Sequence, residues 1–598
     1  MNIAKRLFVL AGPYRKLYGL AMIMSIVTMA VAVASPVVVG TTIDVILGNP
    51  VTGFQGEAVG WLGGPEQLRA NLWIPLVLSV SLAGIRAVLA FLNGRTVGKA
   101  SDSMSRDLQN RVYDHLQNLP YDYHVKSKTG DLIQRCTSDV ENIRAFMAGQ
   151  VMEIVRTTLF CSFIVVILLN LDPGLTLISV VVVPVIFASS FWFFKRMKDV
   201  FHQQDEMEGE LFSNMQENLE GVRVVRAFGR SGFEADQFEA KNSVFRDLVK
   251  RFAKIRAIFW GSSDFLCFAQ ILLAVYFGIM AVQSGRISVG AYIIFVSYTN
   301  QLVWPLRNLA RVLADMGRME VSLDRIEEIL NEPLEADTPG AVAHPMAGDI
   351  VFDQVSFAYG EQTILNNLSL TIHQGETIAI LGSTGSGKST IMHLLLRLYD
   401  YDSGSITING HELKYIEKKH LRRQVGMVLQ EPYLYSKTIE QNLKMSKDQV
   451  TSQEVRQATH TAKIHETIEN FEKGYETVIG ERGVTLSGGQ RQRVSIARTI
   501  IKNSDILVFD DSLSAVDTET DREIRQALKE RQIQTTTIII SGRISTLKEA
   551  DRIFILENGQ VTDVGNHEEL INRPTLYKKI WDIQTSLEEE LGHELETA

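Results

Sequence analysis

Six long apolar runs dominate the first half of the chain, near Leu17–Leu47, Leu72–Asn93, Val151–Leu171, Leu175–Phe194, Ile258–Gln283 and Val289–Leu309. Each can cross about 30 Å of hydrocarbon as a helix, for which some 20 residues suffice. A backbone that leaves water must satisfy its own N–H and C=O groups, so runs of this length predict helical spans. The third and fourth are separated by little more than Asp172-Pro173-Gly174, a tight turn. The second is interrupted by Gly84 and Arg86, which softens its bounds. No cleavable leader is expected. Lys5, Arg6, Arg15 and Lys16 precede an apolar stretch longer than a signal core, and no small-residue cleavage pattern follows.

Basic residues set the predicted orientation. The N-terminal tail is basic, Arg95, Lys99, Arg106 and Arg111 follow the second run, and Lys195, Arg196 and Lys198 follow the fourth. The loops after the first, third and fifth runs are short or poor in Lys and Arg. The positive-inside rule then puts both termini in the cytoplasm, and the expected location is the cell's inner (plasma) membrane. The polar segments 95–150 and 195–255 keep apolar residues at helical spacing, as in Leu108, Val112, His115, Leu116 and Leu119. They read as cytoplasmic continuations of the membrane helices, turning at Leu119-Pro120-Tyr121 and at Asn218-Leu219-Glu220-Gly221. A short helix at such a turn could press on a partner domain. Arg86, Glu153, Arg156 and Asp264 lie in or near the spans, toward the inner leaflet. Charges at that depth face a cavity, find a partner or snorkel to the interface. Arg86 and Asp264 are candidates for a substrate cavity, with Asp264 favouring cationic lipophiles.

With 598 residues and a mean hydropathy of +0.04, the chain averages two unlike halves. The net charge of −9 gives no reason to expect nucleic-acid binding. The three cysteines suggest neither a metal site nor a disulfide framework. From about 312 to 348 the character changes, and Pro333, Pro339, Gly340 and Pro345 break up a charged helix. The expected domains are a membrane domain at 1–330, a linker at 331–348, a nucleotide-binding domain at 349–585 and a charged tail at 586–598. The fold class is a polytopic α-helical membrane domain, six transmembrane helices with long cytoplasmic extensions, fused to an α/β P-loop domain.

That last assignment rests on one motif. The strand Thr377-Ile378-Ala379-Ile380-Leu381 runs into Gly382-Ser383-Thr384-Gly385-Ser386-Gly387-Lys388-Ser389-Thr390, and the helical Ile391-Met392-His393-Leu394-Leu395-Leu396 follows. Strand, glycine-rich loop, helix is the context of a phosphate-binding loop. The glycines let backbone N–H groups turn toward phosphates, and the helix N-terminus adds positive field. Lys388 would reach the β- and γ-phosphates of ATP, and Ser389 would hold Mg²⁺. Asp505-Ile506-Leu507-Val508-Phe509-Asp510 reads as a buried strand whose terminal Asp510 is the expected Mg²⁺ carboxylate.

Between these lies Leu486-Ser487-Gly488-Gly489-Gln490. It is identical to the signature of the ATP-binding cassette (ABC) ATPases, at that family's spacing, and the chain resembles an ABC exporter half-transporter over nearly its whole length. The resemblance implies further roles. Tyr359 is similar to the aromatic residue that stacks on adenine, and Gln430 to the glutamine that touches Mg²⁺ and feels the membrane domain. Ser514-Ala515-Val516-Asp517 resembles the loop that crosses the cassette dimer. Gly480-Glu481-Arg482-Gly483 resembles the stretch with which exporters contact their membrane domains. Thr129-Gly130-Asp131-Leu132-Ile133 and Val224-Val225-Arg226-Ala227-Phe228 look like the two cytoplasmic hairpins.

Two positions depart from the family's pattern. Where the family places a Glu as general base, this chain has Asp511, one methylene shorter. A base must reach the proton it takes, and about 1 Å of misplacement can cost on the order of 10²-fold. Where the family has a His that contacts the γ-phosphate, this chain has Gly542. Two cassettes in this family face head to tail, each ATP held between one chain's phosphate loop and the other's signature. The resemblance therefore implies the degenerate-site subunit of a heterodimeric multidrug exporter. Its own site would hold ATP and cleave it weakly. Its Ser487, Gly488, Gly489 and Gln490 would complete a competent site on a second half-transporter that supplies Glu and His. The expected cargo is a lipophilic or amphipathic small molecule, moved across the bilayer by alternating access. Alternatives are a lipid or lipopeptide flippase, a homodimer with slow or engineered sites, and an ATP-gated regulatory membrane protein.

Overall fold

The computed structural model describes the backbone of residues 3–51, 53–480, 483, 485–512, 516–530 and 535–597. The chain divides into two compact units, one of residues 1–118 and 127–332, the other of residues 119–126 and 333–598.

The first unit is helical. Its principal elements are α1 (Arg15–Leu47), α2 (Gly53–Trp61), α3 (Gly64–Ala70), α4 (Trp73–Gln117), α6 (Thr129–Leu171), α7 (Pro173–Val181), α8 (Val183–Glu220), α9 (Val222–Ala227), α10 (Ser231–Gln283) and α11 (Val289–Asn331). Among the described residues five helical stretches are long and apolar enough to cross a membrane: Gly12–Leu47, Trp73–Gln117, Thr129–Leu171, Pro173–Glu220 and Ser231–Gln283. The sixth predicted run lies in α11, and the middle of that run carries the polar sequence Ser297-Tyr298-Thr299-Asn300-Gln301. The expected extensions are present: α4 has 45 residues and α10 has 53, the latter roughly 80 Å at 1.5 Å per residue.

Three local features differ from the sequence reading. The fourth run is broken at Val182, between α7 and α8, because Pro184 falls at the start of α8, where its missing N–H is harmless. α2 and α3 fill the connection from α1 to α4, a segment without helical periodicity. Of the charged stretch 586–598, expected as a tail, residues 586–597 continue the C-terminal helix Leu576–Thr597.

Large apolar side chains cover the outside of this unit. Leu76, Val80, Phe91, Leu177, Phe265 and Leu272 are all more than half exposed, an apolar surface that calls for lipid or another membrane helix to cover it. The interior is fastened by polar contacts. Buried Asp44 near the end of α1 accepts hydrogen bonds from Ser288 Oγ, from Gly290 N at 2.9 Å and from Asn49 Nδ2 at 2.9 Å, tying α1 to the start of α11. Gly40 and Gly290 let the two backbones meet there; a Cβ on either would strike the other helix.

The second unit carries two sheets. One has strand order β2-β1-β4-β5, antiparallel: β1 (Ile350–Tyr359), β2 (Gln362–Ile372), β4 (Ser403–Ile408) and β5 (His411–Glu412). The other has order β10-β9-β3-β8-β7-β6, with β3 (Thr377–Gly382), β6 (Val425–Val428), β7 (Ile506–Asp510), β8 (Thr536–Ile540), β9 (Arg552–Glu557) and β10 (Gln560–Gly565). Its inner pairings are parallel, and only β10 runs against its neighbour. Strands buried on both faces need continuous apolar runs. Ile378, Ala379, Ile380 and Leu381 meet that need, each at most 1% exposed; full burial of each Ile or Leu contributes about 1.5–3 kcal/mol. The register pairs Ile540 with both Ile380 and Asp510. The C-terminal ends of β3, β7 and β8 therefore form one edge, where α/β sheets bind ligands. The helix α5 (Tyr121–Lys126) also belongs to this unit.

Candidate nucleotide site

At the end of β3 the chain turns on residues that must be glycine. A Cβ on Gly382 would lie 2.5 Å from Ser386 Oγ, and one on Gly387 2.6 Å from Leu365 Cδ2. Gly387 also has φ +101°, in the left-handed region that side chains avoid. This turn delivers α12 (Lys388–Leu395) with its first N–H groups free of intrahelical partners. Lys388 Nζ donates to the carbonyls of Gly382 and Ser383, both at 2.8 Å, folding its ammonium over the loop. Burial pushes its pKa down, and Asp510 and Asp511 oppose that shift. Ser389 Oγ donates to Asp510 Oδ1 at 3.3 Å. Among the described residues buried Ser386 Oγ has no hydrogen-bond partner, a need that a phosphate oxygen would meet. The residues fit the predicted ligands: a backbone cradle and a cation for phosphates, and in Ser389, Asp510 and Gln430 hard oxygen donors for Mg²⁺.

Tyr359 closes β1 and is 36% exposed. Its hydroxyl pairs with His393 Nδ1 at 3.1 Å, and its ring meets Tyr399 edge-on at 5.0 Å. Tyr121 of α5 joins the same cluster, with ring centroids 5.7 Å from Tyr399 and 5.9 Å from His393. Burial holds His393 below the usual histidine pKa. The sequence offered no signal for Tyr121, His393 or Tyr399 as neighbours of the adenine position.

The cleaving positions sit on the same edge. Asp511 follows β7 with φ +44°, and its amide donates to Ile540 O at 2.8 Å, so its backbone is fixed by β8. Gln430 Nε2 reaches Asp511 Oδ2 at 3.5 Å. Burial and the neighbouring Asp510 raise the Asp511 pKa above the usual aspartate value, against Arg543 and Lys388. Gly542 follows β8, and a Cβ built there meets nothing within 4 Å among the described residues. A larger side chain would find room; glycine leaves no group to orient a phosphate or a water. The switch turn is instead held by Gln584 of the C-terminal helix α16 (Leu576–Thr597). Its Nε2 donates to Gly542 O at 2.9 Å and its Oε1 accepts from Ile544 N at 2.9 Å, at the start of α15 (Ile544–Leu547). Sequence reasoning missed Gln584, which lies 42 residues from Gly542.

The signature opens α13 (Gly488–Ile501). Ser487 Oγ accepts from Gln490 N, and Gln490 Oε1 accepts from Ser487 N at 2.9 Å, a complete capping box. Ser487 and Gly488 are exposed, and no hydrogen bond joins 487–490 to the phosphate loop among the described residues. Gly483 has φ +73° and is buried; Glu481 and Arg482 lie outside the described residues. Asp517 caps α14 (Thr518–Lys529) by accepting from Thr520 N at 2.9 Å; Ser514 and Ala515 lie outside the described residues. In the membrane unit Arg86 lines a cavity, and Asp264 is exposed on α10 and does not line it.

A glycine-turned phosphate loop between β3 and α12, a carboxylate ending β7 and a signature-capped helix, on the same chain as helices long and apolar enough to cross a membrane, define a membrane-anchored P-loop ATPase. Residues 18–306 match the family description "ABC transporter transmembrane region" and residues 365–514 match "ABC transporter". The chain is 32% identical over 592 residues to "Putative multidrug export ATP-binding/permease protein YgaD" of Bacillus subtilis, covering 98% of this chain and 100% of the relative. It is 30% identical over 597 residues to an "ATP-dependent lipid A-core flippase" of Syntrophus aciditrophicus, covering 100% of this chain and 96% of the relative. A solved structure, of a bacterial Atm1-family ABC exporter with ATP bound, aligns with TM-score 0.80 at 26% identity, covering 95% of this chain and 99% of that one. The chain belongs to the ABC transporter family, as a half-transporter that carries one membrane region and one cassette.

Proposed function

We propose that the chain is one subunit of a heterodimeric, ATP-driven exporter of amphipathic or multidrug-type molecules. It sits in the cell's inner (plasma) membrane with both termini and the cassette in the cytoplasm. Residues 1–330 form the membrane domain, 331–348 the linker and 349–585 the cassette. Gly382–Thr390 cradle the phosphates of ATP, Lys388 neutralises them and Tyr359 stacks on the adenine. Ser389, Asp510 and Gln430 offer oxygen ligands to Mg²⁺, which when bound spreads the charge of the β- and γ-phosphates. ATP draws two cassettes together and favours the outward-facing state; hydrolysis resets it.

One observation carries the division of labour. The clasping groups are complete, whereas the cleaving edge holds a shortened carboxylate at Asp511 and open space at Gly542. The N–H groups of Gly488 and Gly489, at the helix start outside the capping box, are left to serve the ATP of a second half-transporter supplying Glu and His. Glu481, Arg482, Gly483 and Asp517 transmit the closure between subunits. The exposed apolar residues of α9, Val222 and Val224, with Phe228 beyond them, suit a docking helix.

The test is ATP turnover by the purified chain in lipid, alone and with its partner. Slow turnover alone and fast turnover together are expected; brisk turnover by the isolated chain would refute the asymmetric assignment. A second reading, lipid or lipopeptide translocation, is supported by the flippase among the relatives. Movement of a labelled lipid in proteoliposomes without movement of a lipophilic dye would favour it.

A further inference from the structure

Residues 335–345 follow α11 as an irregular segment, yet the cassette holds them at several points. Asp337 Oδ1 accepts from Lys418 N at 2.8 Å, and Thr338 Oγ1 accepts from Arg397 Nη2 at 3.1 Å. Val342 N donates to Tyr415 O at 3.0 Å, and His420 Nε2 pairs with His344 O at 2.8 Å. The firmest grip is on Glu335, four residues after Asn331, where α11 ends. Arg422, on the short helix Lys418–Gln424, holds both carboxylate oxygens, Nη1 to Oε2 at 2.6 Å and Nη2 to Oε1 at 2.7 Å. Two parallel bonds of this kind fix orientation as well as charge.

The same guanidinium reaches the rear of the phosphate-loop helix. Arg422 Nε donates to Leu396 O at 3.1 Å and Nη2 to Arg397 O at 2.8 Å. These carbonyls follow the last turn of α12, where a helix leaves acceptors open and favours a cation. Arg397 takes φ +49° there, a left-handed turn that costs a residue with a side chain about 1–2 kcal/mol. The carbonyl of Arg422 itself accepts from Lys502 Nζ, which also donates to Val425 O at 2.7 Å. Lys502 is the C-cap of α13, the helix that the signature opens. One residue thus joins the linker, the rear of α12 and the rear of α13. α12 has 8 residues and α13 has 14, rods of roughly 12 and 21 Å. A shift at the rear of either is a tilt at the N-terminus that meets phosphate.

We propose that Arg422 is a positioning residue for ATP, through which the linker after α11 sets the tilt of the phosphate-loop and signature helices. The inference deepens the proposed function and rests on its assignment of Gly382–Thr390 to the phosphates. By linkage the effect runs both ways. A linker seated on Arg422 tightens ATP binding, and bound ATP tightens the linker by the same factor.

The test uses the full-length chain in nanodiscs with ATP and Mg²⁺. It reads ATP affinity by equilibrium binding, and amide exchange across 335–345 with and without ATP. In the wild type ATP should slow exchange in that segment about fivefold or more. Arg422→Ala should weaken ATP binding by a similar factor and abolish the slowing. Glu335→Gln frees the linker and leaves Arg422 on Leu396 and Arg397; it should also abolish the slowing and weaken ATP binding. Arg422→Lys keeps the charge without the fork and should fall between wild type and Arg422→Ala. His420→Ala loosens the same segment at His344 and touches neither α12 nor α13. It should quicken exchange there and leave ATP affinity at the wild-type value, which a merely structural brace would not predict. Equal ATP affinity in wild type, Arg422→Ala and Glu335→Gln overturns the proposal. So does a loss of affinity in His420→Ala as large as that in Arg422→Ala. Should Arg422→Ala fail to fold, Glu335→Gln and Arg422→Lys carry the same comparison. Failure of the nucleotide assignment looks different: a wild-type chain that binds no ATP would overturn that assignment and this role with it.

Discussion

The signature turn at Ser487 and the switch turn at Ser541 each lead a polar residue into a helix, and they spend their polar groups in opposite directions. The signature satisfies itself with its own capping box and leaves Ser487 and Gly488 exposed. The switch turn is satisfied from within the cassette, by Gln584, and presents no side chain at Gly542. On the function proposed above, one turn is finished so that a neighbour can use it, the other so that the cassette holds together. On that same function, the comparison separates the groups that hold ATP from those that cleave it. A helix N-terminus and a glycine loop suffice to hold phosphate, whereas cleavage needs side chains at stated distances.

Four experiments press on that contrast. Gly488→Asp sets a carboxylate where a partner's phosphate would lie. Turnover of the assembled exporter, followed by phosphate release, should fall about 10²–10³-fold, the scale of losing preorganised anion stabilisation. Unchanged turnover would mean that the signature offers nothing to a neighbour. The double change Asp511→Glu and Gly542→His restores reach and an imidazole in a space that accepts one. ATP hydrolysis by the chain alone should rise about 10²-fold; no gain would place the defect elsewhere on the edge. Lys388→Ala removes the cation folded over the phosphate loop. ATP affinity in equilibrium binding should drop roughly ten- to a hundredfold, as loss of a charged hydrogen bond costs about 1.5–3 kcal/mol. Gln584→Ala gives the smallest effect. It removes two hydrogen bonds from the switch turn, worth about 1 kcal/mol each, and amide exchange at Ile544 should quicken while that at Gln490 does not.

The parts legible in the sequence are those whose chemistry is local. A phosphate loop needs its glycines, lysine and hydroxyl within nine consecutive positions, so Gly382–Thr390 declared strand, turn and helix together, and the structure follows that order. Asp510 was legible because a buried parallel strand must be apolar throughout and ends abruptly in a charge. The membrane helices were legible from length, although the break at Val182 follows from Pro184, which the apolar average concealed. α2 and α3 were not legible: glycines at 53, 56, 60, 63 and 64 lower helix propensity, and the helices form where Leu68 and Val59 pack on Val45. Gln584 and Tyr121 were not legible because their roles exist only across long separations in the chain.

The assignment of α5 to the cassette unit has a consequence for biosynthesis. Tyr121 leaves the ribosome nearly three hundred residues before Tyr399, against which it packs. Until then a tyrosine at the end of α4's extension has no aromatic surface to meet, and the loop that must close is long. Completion of the early segment therefore waits for translation of the late one. A chain halted at the linker would carry this uncovered patch, which cellular quality control could read as a sign of unfinished synthesis.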